Sequence, residues 1–408
     1  MSAVRAPQAW QLQRLLSAPH RLGFACGAAL MAVLSLWWLA GLAASRAGLA
    51  LPWAVAPTLA HGLLFTLGFM PAFIVGFLFT AGPRWLGVPG VEAGPLLTPL
   101  LQLGGGWLLV MTGSHASAWL AAVGAALAAA AWLRLTLRFA ALVRASRAED
   151  RLHAKAVLLA CVVGVLAMAL ASAALLWGDA ALLHAAIQLG LWGFVAPVYA
   201  VVSHRMVPFF SAAALPQLDA WRPHALLLPL VGGLWLGGCA ELGLLPAVLL
   251  APLLALAALA LLTVALRWGL LRSLRGESLR LLAMLHGGFL WLGVALLLQA
   301  VSQALQALGR PGLGLAPLHA LTLGYLGCTL IAMITRVAAG HSGRPLTVDR
   351  GTWAIYGLLQ LGVLARLGAA LGLDSLLPAA VAWAVVTGFW AWRYGGWLGR
   401  PRVDGRPG

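Results

Sequence analysis

The chain has 408 residues, of which 62% are hydrophobic and only 9% charged, and its mean hydropathy is +0.95. A soluble chain cannot hide that much apolar surface, so the composition excludes a water-soluble globular domain and marks a polytopic membrane protein in contact with a lipid bilayer. The formal charge of +16, from 26 Lys+Arg against 10 Asp+Glu, would point to nucleic acid in a soluble protein; gathered here in short connections it reads as topology and contact with anionic lipid, and no nucleic-acid partner is expected.

Windows of roughly 20 apolar residues recur near 22 to 44, 57 to 80, 96 to 113, 117 to 137, 156 to 178, 180 to 202, 225 to 241, 246 to 266, 281 to 305, 317 to 338, 352 to 372 and 376 to 396. The expected fold is all-α, with about twelve transmembrane helices in a single integral membrane domain over residues 1–408. Arg5 and Arg14 precede a first window too long for a cleavable leader, so that span is expected to stay in the membrane. With the N-terminus in the cytoplasm, the outer connections carry Arg46, Arg310 and Arg366, and the other 23 of the 26 basic residues lie inside. This bias places both termini in the cytoplasm.

Span 1 follows Pro19-His20-Arg21 and carries Gly23 and Gly27, a spacing that admits a close helix neighbour. Span 2 begins at Pro57, places His61 about one turn deep and is expected to leave the bilayer through Gly82-Pro83-Arg84-Trp85. Spans 3 and 4 read as scaffold. Span 5 follows His153. Span 6 begins at Ala180, places His184 about one turn deep and leaves through His204-Arg205-Met206-Val207-Pro208-Phe209-Phe210. Span 7 repeats the glycine spacing at Gly233 and Gly237 and has Glu241 near its end. Span 9 carries His286. Span 10 begins at Pro317, places His319 about a turn deep and leaves through Arg336 and Gly340-His341-Ser342-Gly343-Arg344-Pro345. Cys26, Cys161, Cys239 and Cys328 all fall within spans and read as small buried hydrophobes. Most tryptophans, such as Trp53, Trp85, Trp119, Trp268 and Trp353, fall near span ends and read as an aromatic belt.

His20, His153 and His286 are spaced 133 and 133 residues apart, and His61, His184 and His319 are spaced 123 and 135 apart. The first series falls on spans 1, 5 and 9, the second on spans 2, 6 and 10. Three copies of a four-helix unit are therefore expected, over about 15–150, 151–278 and 279–400. At about 1.5 Å per residue, the second series lies roughly 3 to 6 Å inside its helix starts, in one layer. A single such histidine is more often bonded to a neighbouring carbonyl than to a metal. Three at matched depth on repeat-related helices point to a cofactor, since neutral imidazole ligates transition metals and haem iron.

Acidic residues are nearly absent at depth. Only Glu241 touches a span, which leaves the chain poorly equipped for proton pumping or proton-coupled transport. No Ser/His/Asp set, P-loop or dinucleotide fingerprint stands in a plausible context.

The chain resembles the NnrS family, bacterial inner-membrane proteins linked to nitric oxide metabolism and protection from nitrosative stress. The residues that carry the resemblance are His61 with Gly68, the stretch Gly76 to Gly87, Arg205 to Phe210, His319 to Gly324, Thr335-Arg336, and Gly340-His341-Ser342-Gly343-Arg344-Pro345-Leu346. The resemblance implies a twelve-span inner-membrane protein containing haem and copper. A weaker analogy is to subunit I of the haem-copper oxidases, where spans 2 and 10 supply two axial haem ligands and span 6 a copper ligand. Span 10 here has one outer histidine rather than two, span 7 has no histidine pair at depth, and span 6 lacks the histidine-tyrosine pair. An oxygen- or NO-reducing binuclear centre of that kind is therefore not expected.

The resulting expectation is a membrane haem protein, with b-type haem and also copper, acting on or responding to nitric oxide. His61 and His319 are the expected axial ligands, with His184 beside them as a third ligand or distal group. Arg84, Arg205, Arg336 and Arg344 are candidates for haem propionates, an anion or lipid phosphate. His286 and His341 are candidates for an inner metal site, with Met284 or Met333 as soft Cu(I) donors. The competing readings are a transporter of a small anion and a non-redox sensor or assembly partner.

Overall fold

The computed structural model describes residues 9–406, so Arg5 lies outside the described residues. Twelve helices are long and apolar enough to cross a membrane: α1 Pro19–Arg46, α2 Pro57–Leu86, α3 Gly94–Ala116, α4 Ala118–Ala145, α5 Leu152–Trp177, α6 Ala180–Ala214, α7 His224–Glu241, α8 Ala247–Arg267, α9 Glu277–Ala307, α10 Ala316–His341, α11 Arg350–Ala370 and α12 Leu376–Leu398. No strand occurs among the described residues. The protein is an all-α multi-pass membrane protein.

Local chemistry sets the helix ends. Prolines open α1 and α2, where a missing N–H costs nothing. Asp179 and Asp349 cap α6 and α11, each accepting a backbone N–H at 2.9 Å from Leu182 and Thr352. Gly87 and Gly178 close α2 and α5 with φ of 61° and 66°, which a side chain would resist.

The helices α2, α6 and α10 form the interior: 83%, 78% and 72% of their most apolar stretches are buried by protein, against 22% for α11 and 28% for α7. Each contains a stretch of wider π-helical turns just after its outer histidine, at Leu64–Gly68, Leu189–Val195 and Ala320–Gly327. A fourth lies at Leu228–Gly232 in α7. Such turns are rare and shift the register of side chains along a helix. Their recurrence on these three interior helices follows the spacing of the histidines. We call the face where α2, α6 and α10 begin the upper face and the face where they end the lower face.

The three interior helices run further than their hydropathy predicts. They continue to Leu86, Ala214 and His341, passing through Pro83 in α2 and Pro208 in α6. A proline removes one backbone hydrogen bond, yet the helix continues through both, with Pro83 and Pro208 themselves buried. Arg84, Arg205 and Arg336 are therefore helical residues with fixed directions, not parts of exit loops.

The outer helices close around this core. α1 packs against α2 and α12, α3 against α4, α4 against α5, α8 against α9 and α9 against α10. Arg21, buried in α1, donates at 2.7 Å to the carbonyls of both Leu398 and Arg400, which ties the first span to the end of the last. All four cysteines are free thiols. The aromatic belt needs one correction: Trp268 is only 2% exposed and donates to the Trp221 carbonyl at 2.9 Å, and Trp107, Trp132 and Trp390 are also core residues. Trp119, Trp177 and Trp392 are exposed near helix ends, as a belt requires.

A Cβ on Gly23 would lie 2.6 Å from the Gly76 Cα, so α1 and α2 cross with their backbones in contact. Gly23→Val should lower stability by at least ~1–3 kcal/mol, the range for overpacking. Gly90→Ala, with nothing within 4 Å of the added Cβ, should not. Thermal unfolding of the detergent-purified variants checks the contrast.

Candidate functional site

At the upper face, His61 of α2 and His319 of α10 lie within range of one another's charge, and Arg366 of α11 lies within range of both. The His61 ring stacks on Trp38, with centroids 4.1 Å apart and planes 16° from parallel, and packs on Phe65 at 4.3 Å. Its Nδ1 is buried with no hydrogen-bond partner. His319 Nδ1 sits 2.9 Å from the Leu315 carbonyl. A carbonyl can only accept, so Nδ1 carries the proton and Nε2 presents a lone pair.

His184 is placed apart from this pair. The α6 residue that meets α2 here is Ile187, packed on Gly62, and the His184 side chain is exposed within charge range of Glu241. Glu241 also accepts from Gln299 Nε2 at 3.3 Å. His115, at the end of α3, is structural: Nδ1 donates to the Pro52 carbonyl and Nε2 accepts from Trp37 Nε1, both at 2.8 Å.

At the lower face, α2, α6 and α10 end around a cavity of about 590 Å³. Arg84, Arg205 and Arg336 line it, one from each interior helix, with Arg222 from the segment before α7. Arg344 does not join them: its guanidinium lies over the Trp397 ring, 4.3 Å from the centroid. His61 and Arg84 are 23 residues apart in one helix, and His319 and Arg336 are 17 apart, or roughly 25–35 Å along the axis. That separation rules out the expected role of these arginines on the acidic arms of a ring held by His61 and His319. Arg366 is the cation within charge range of both histidines.

Beside the cavity, ligand atoms of Asp150, His153 and His224 lie within 4.8 Å of one another. Hydrogen bonds fix the tautomers. His204 Nε2 faces the Pro223 carbonyl at 3.1 Å, so it carries the proton and His204 Nδ1 accepts from His153 Nε2 at 2.8 Å. His153 Nδ1 is thereby left with a lone pair, and it is buried without a partner. Burial opposes ionisation of Asp150, but the Leu152 N–H and the nearby His224 imidazole outweigh it and hold this carboxyl below its ordinary range. His224 Nε2 is 3.4 Å from the Asp150 carboxylate.

The expected pairing of His286 with His341 has no counterpart among these contacts. His286 Nε2 bonds Ser211 Oγ at 2.9 Å, while the His341 ring packs on His20 with centroids 4.1 Å apart. Met333 lines a small apolar pocket to which neither histidine contributes, and Met284 is buried with its carbonyl accepting from Tyr356. His20, His153 and His286, the evenly spaced series, share one trait: the Nδ1 of each is buried and unpartnered.

A family model described as NnrS protein matches residues 14–402. The chain belongs to the NnrS family. It is thus a membrane protein of a family linked to the nitric oxide response. No curated protein and no solved structure matches it. The Gly-His-Ser-Gly-Arg-Pro-Leu motif of this NnrS-family chain closes α10. His341 is its last residue, and Gly343 takes a φ of 73° against the Asp404 carboxylate, where a Cβ would come within 2.7 Å. Arg402 holds Asp404 in place and pulls its carboxyl down to about 2.

Arg366, Arg222 and the Asp150 cluster were not legible as site residues. The signal for the last was present: Asp150 and His153 stand three apart at the start of α5, and His204 immediately precedes Arg205. In a chain freed of its four cysteines, His61→Cys with His319→Cys should cross-link with a short bifunctional thiol reagent. His184→Cys with His319→Cys should not, as judged by peptide mapping.

Proposed function

We propose that this chain is a haem- and copper-binding protein of the bacterial inner membrane, with both termini in the cytoplasm, that acts in nitric oxide metabolism or protection from nitrosative stress. The observation that carries this reading is that His61 and His319, from two interior helices, lie within range of one another's charge, His61 with a buried unpartnered Nδ1 and His319 with its Nε2 lone pair free of the Leu315 bond, and that Arg366 lies within range of both. The donor set fits a haem, whose iron takes two imidazoles from facing helices and whose carboxylates need a cation. When bound, a b-type haem held by both imidazoles would supply one-electron chemistry. The chain's own part is to hold the two rings, to shield that of His61 with Trp38 and Phe65, and to offset acidic arms with Arg366.

For copper, the better-fitted residues are Asp150, His153 and His224, two imidazoles and an ionised carboxylate, a set that suits a divalent first-row ion. His204 is the positioning residue, since its bond to His153 selects the tautomer with a free Nδ1.

His61→Ala and His319→Ala should each remove or reshape the bands of the reduced-minus-oxidised spectrum of the purified protein. Unchanged haem content and band shape in both would refute the pair. His224→Ala should abolish tight Cu(II) binding, and His204→Ala should weaken it by about 10–100-fold, read by equilibrium dialysis and by the nitrogen couplings of the Cu(II) spin-resonance signal. The arginine cavity favours a second reading, an anion carrier without redox chemistry. A purified protein with no Soret band and no metal by elemental analysis would select it.

A further inference from the structure

The lower cavity holds four guanidinium groups that the haem and copper assignments leave unused. Arg84, Arg205, Arg222 and Arg336 line it, and none of the four forms a salt bridge or a side-chain hydrogen bond among the described residues. No carboxylate is among the lining residues. Asp150 lies within charge range of Arg205 but is turned to His224.

The arrangement is cyclic. Arg205 of α6 lies over Trp85 at the end of α2, 5.0 Å from the ring centroid, and Arg336 of α10 lies over Phe210 at the end of α6, at 3.9 Å. Arg84 of α2 completes the circuit within charge range of His341, the last residue of α10. The three arginines stand 121 and 131 residues apart, close to the repeat spacing of the outer histidines. The guanidinium groups of Arg205 and Arg336 are each braced by an aromatic ring of the preceding interior helix, which fixes their planes and leaves their N–H groups free. Charges that serve topology alone face headgroups or water. These converge on one space.

We propose that this cavity is an oxyanion site, in which Arg84, Arg205 and Arg336 each donate to one of three equivalent oxygens, as in nitrate or the terminal oxygens of a phosphate, with Arg222 as a further donor. Forked guanidinium donors are the side chains best matched to such oxygens. The source is either a free anion or the phosphate of a lipid headgroup reaching in from the membrane surface.

Isothermal titration of the detergent-purified full chain with sodium nitrate and with inorganic phosphate tests this. The expected result is saturable binding of at least one probe, weakened about tenfold to a hundredfold by Arg336→Gln or Arg205→Gln, the scale of a lost charged hydrogen bond. Arg336→Lys should fall between, and Arg344→Gln, outside the cavity, should bind as the wild type does. If the cavity is filled by lipid, the purified protein carries a bound anionic phospholipid in native mass spectrometry that Arg336→Gln lacks, and phosphate binds only after delipidation; this also supports the site. Size exclusion checks each variant for folding, and Arg222→Gln, in a connecting segment, carries the test if the helical variants fail. Absence of both probe and lipid, or binding equal in all variants, overturns the proposal. Soret absorbance and copper content of the same samples report separately on the haem and copper assignments.

Discussion

A bilayer offers no partner to a buried polar side chain, and that constraint shapes where this chain keeps its chemistry. Carboxylates are almost excluded from the spans, so histidine and arginine supply most of the chargeable groups there. Most of those that matter sit on α2, α6 and α10, the helices most enclosed by protein, or reach toward them from α1, α5 and α11. The outer helices, rich in Gly, Ala and Leu, pay for this enclosure with close backbone crossings such as Gly23 on Gly76.

Much of this was legible in the sequence. Twelve apolar windows gave the twelve helices, and the spacing of His61, His184 and His319 singled out the helices that prove to be interior. What hydropathy could not show is direction around the helix axis. His61, His184 and His319 follow one spacing along the chain, but His184 is exposed while His61 and His319 lie partly buried within range of one another's charge. Hydropathy also ended the interior helices too early, because Pro83, Pro208 and the arginines read as exits when they are helix, the two prolines buried and Arg205 and Arg336 partly so. Long-range partners were invisible for the same reason: nothing local links Arg366 to His61, or His20 to His341.

The two faces carry different chemistry. The upper face brings together imidazoles and one cation, a set suited to a ligated ring with acidic arms. The lower face gathers four arginines and a histidine-carboxylate cluster that share Arg205 and Arg222 as neighbours. The helix length between them, roughly 25–35 Å, makes a single centre using both faces impossible. On the proposed reading, a redox group at one face and an anion at the other would be linked only through the interior helices that carry both sites.

The central claim is therefore one of place: a ring between His61 and His319 at the upper face, and a metal beside Asp150 at the lower. Crystals of the purified protein, measured at the iron and copper absorption edges, test it most directly. The account predicts an iron peak between His61 and His319 and a copper peak at Asp150, His153 and His224. Iron and copper peaks side by side at one face would contradict it.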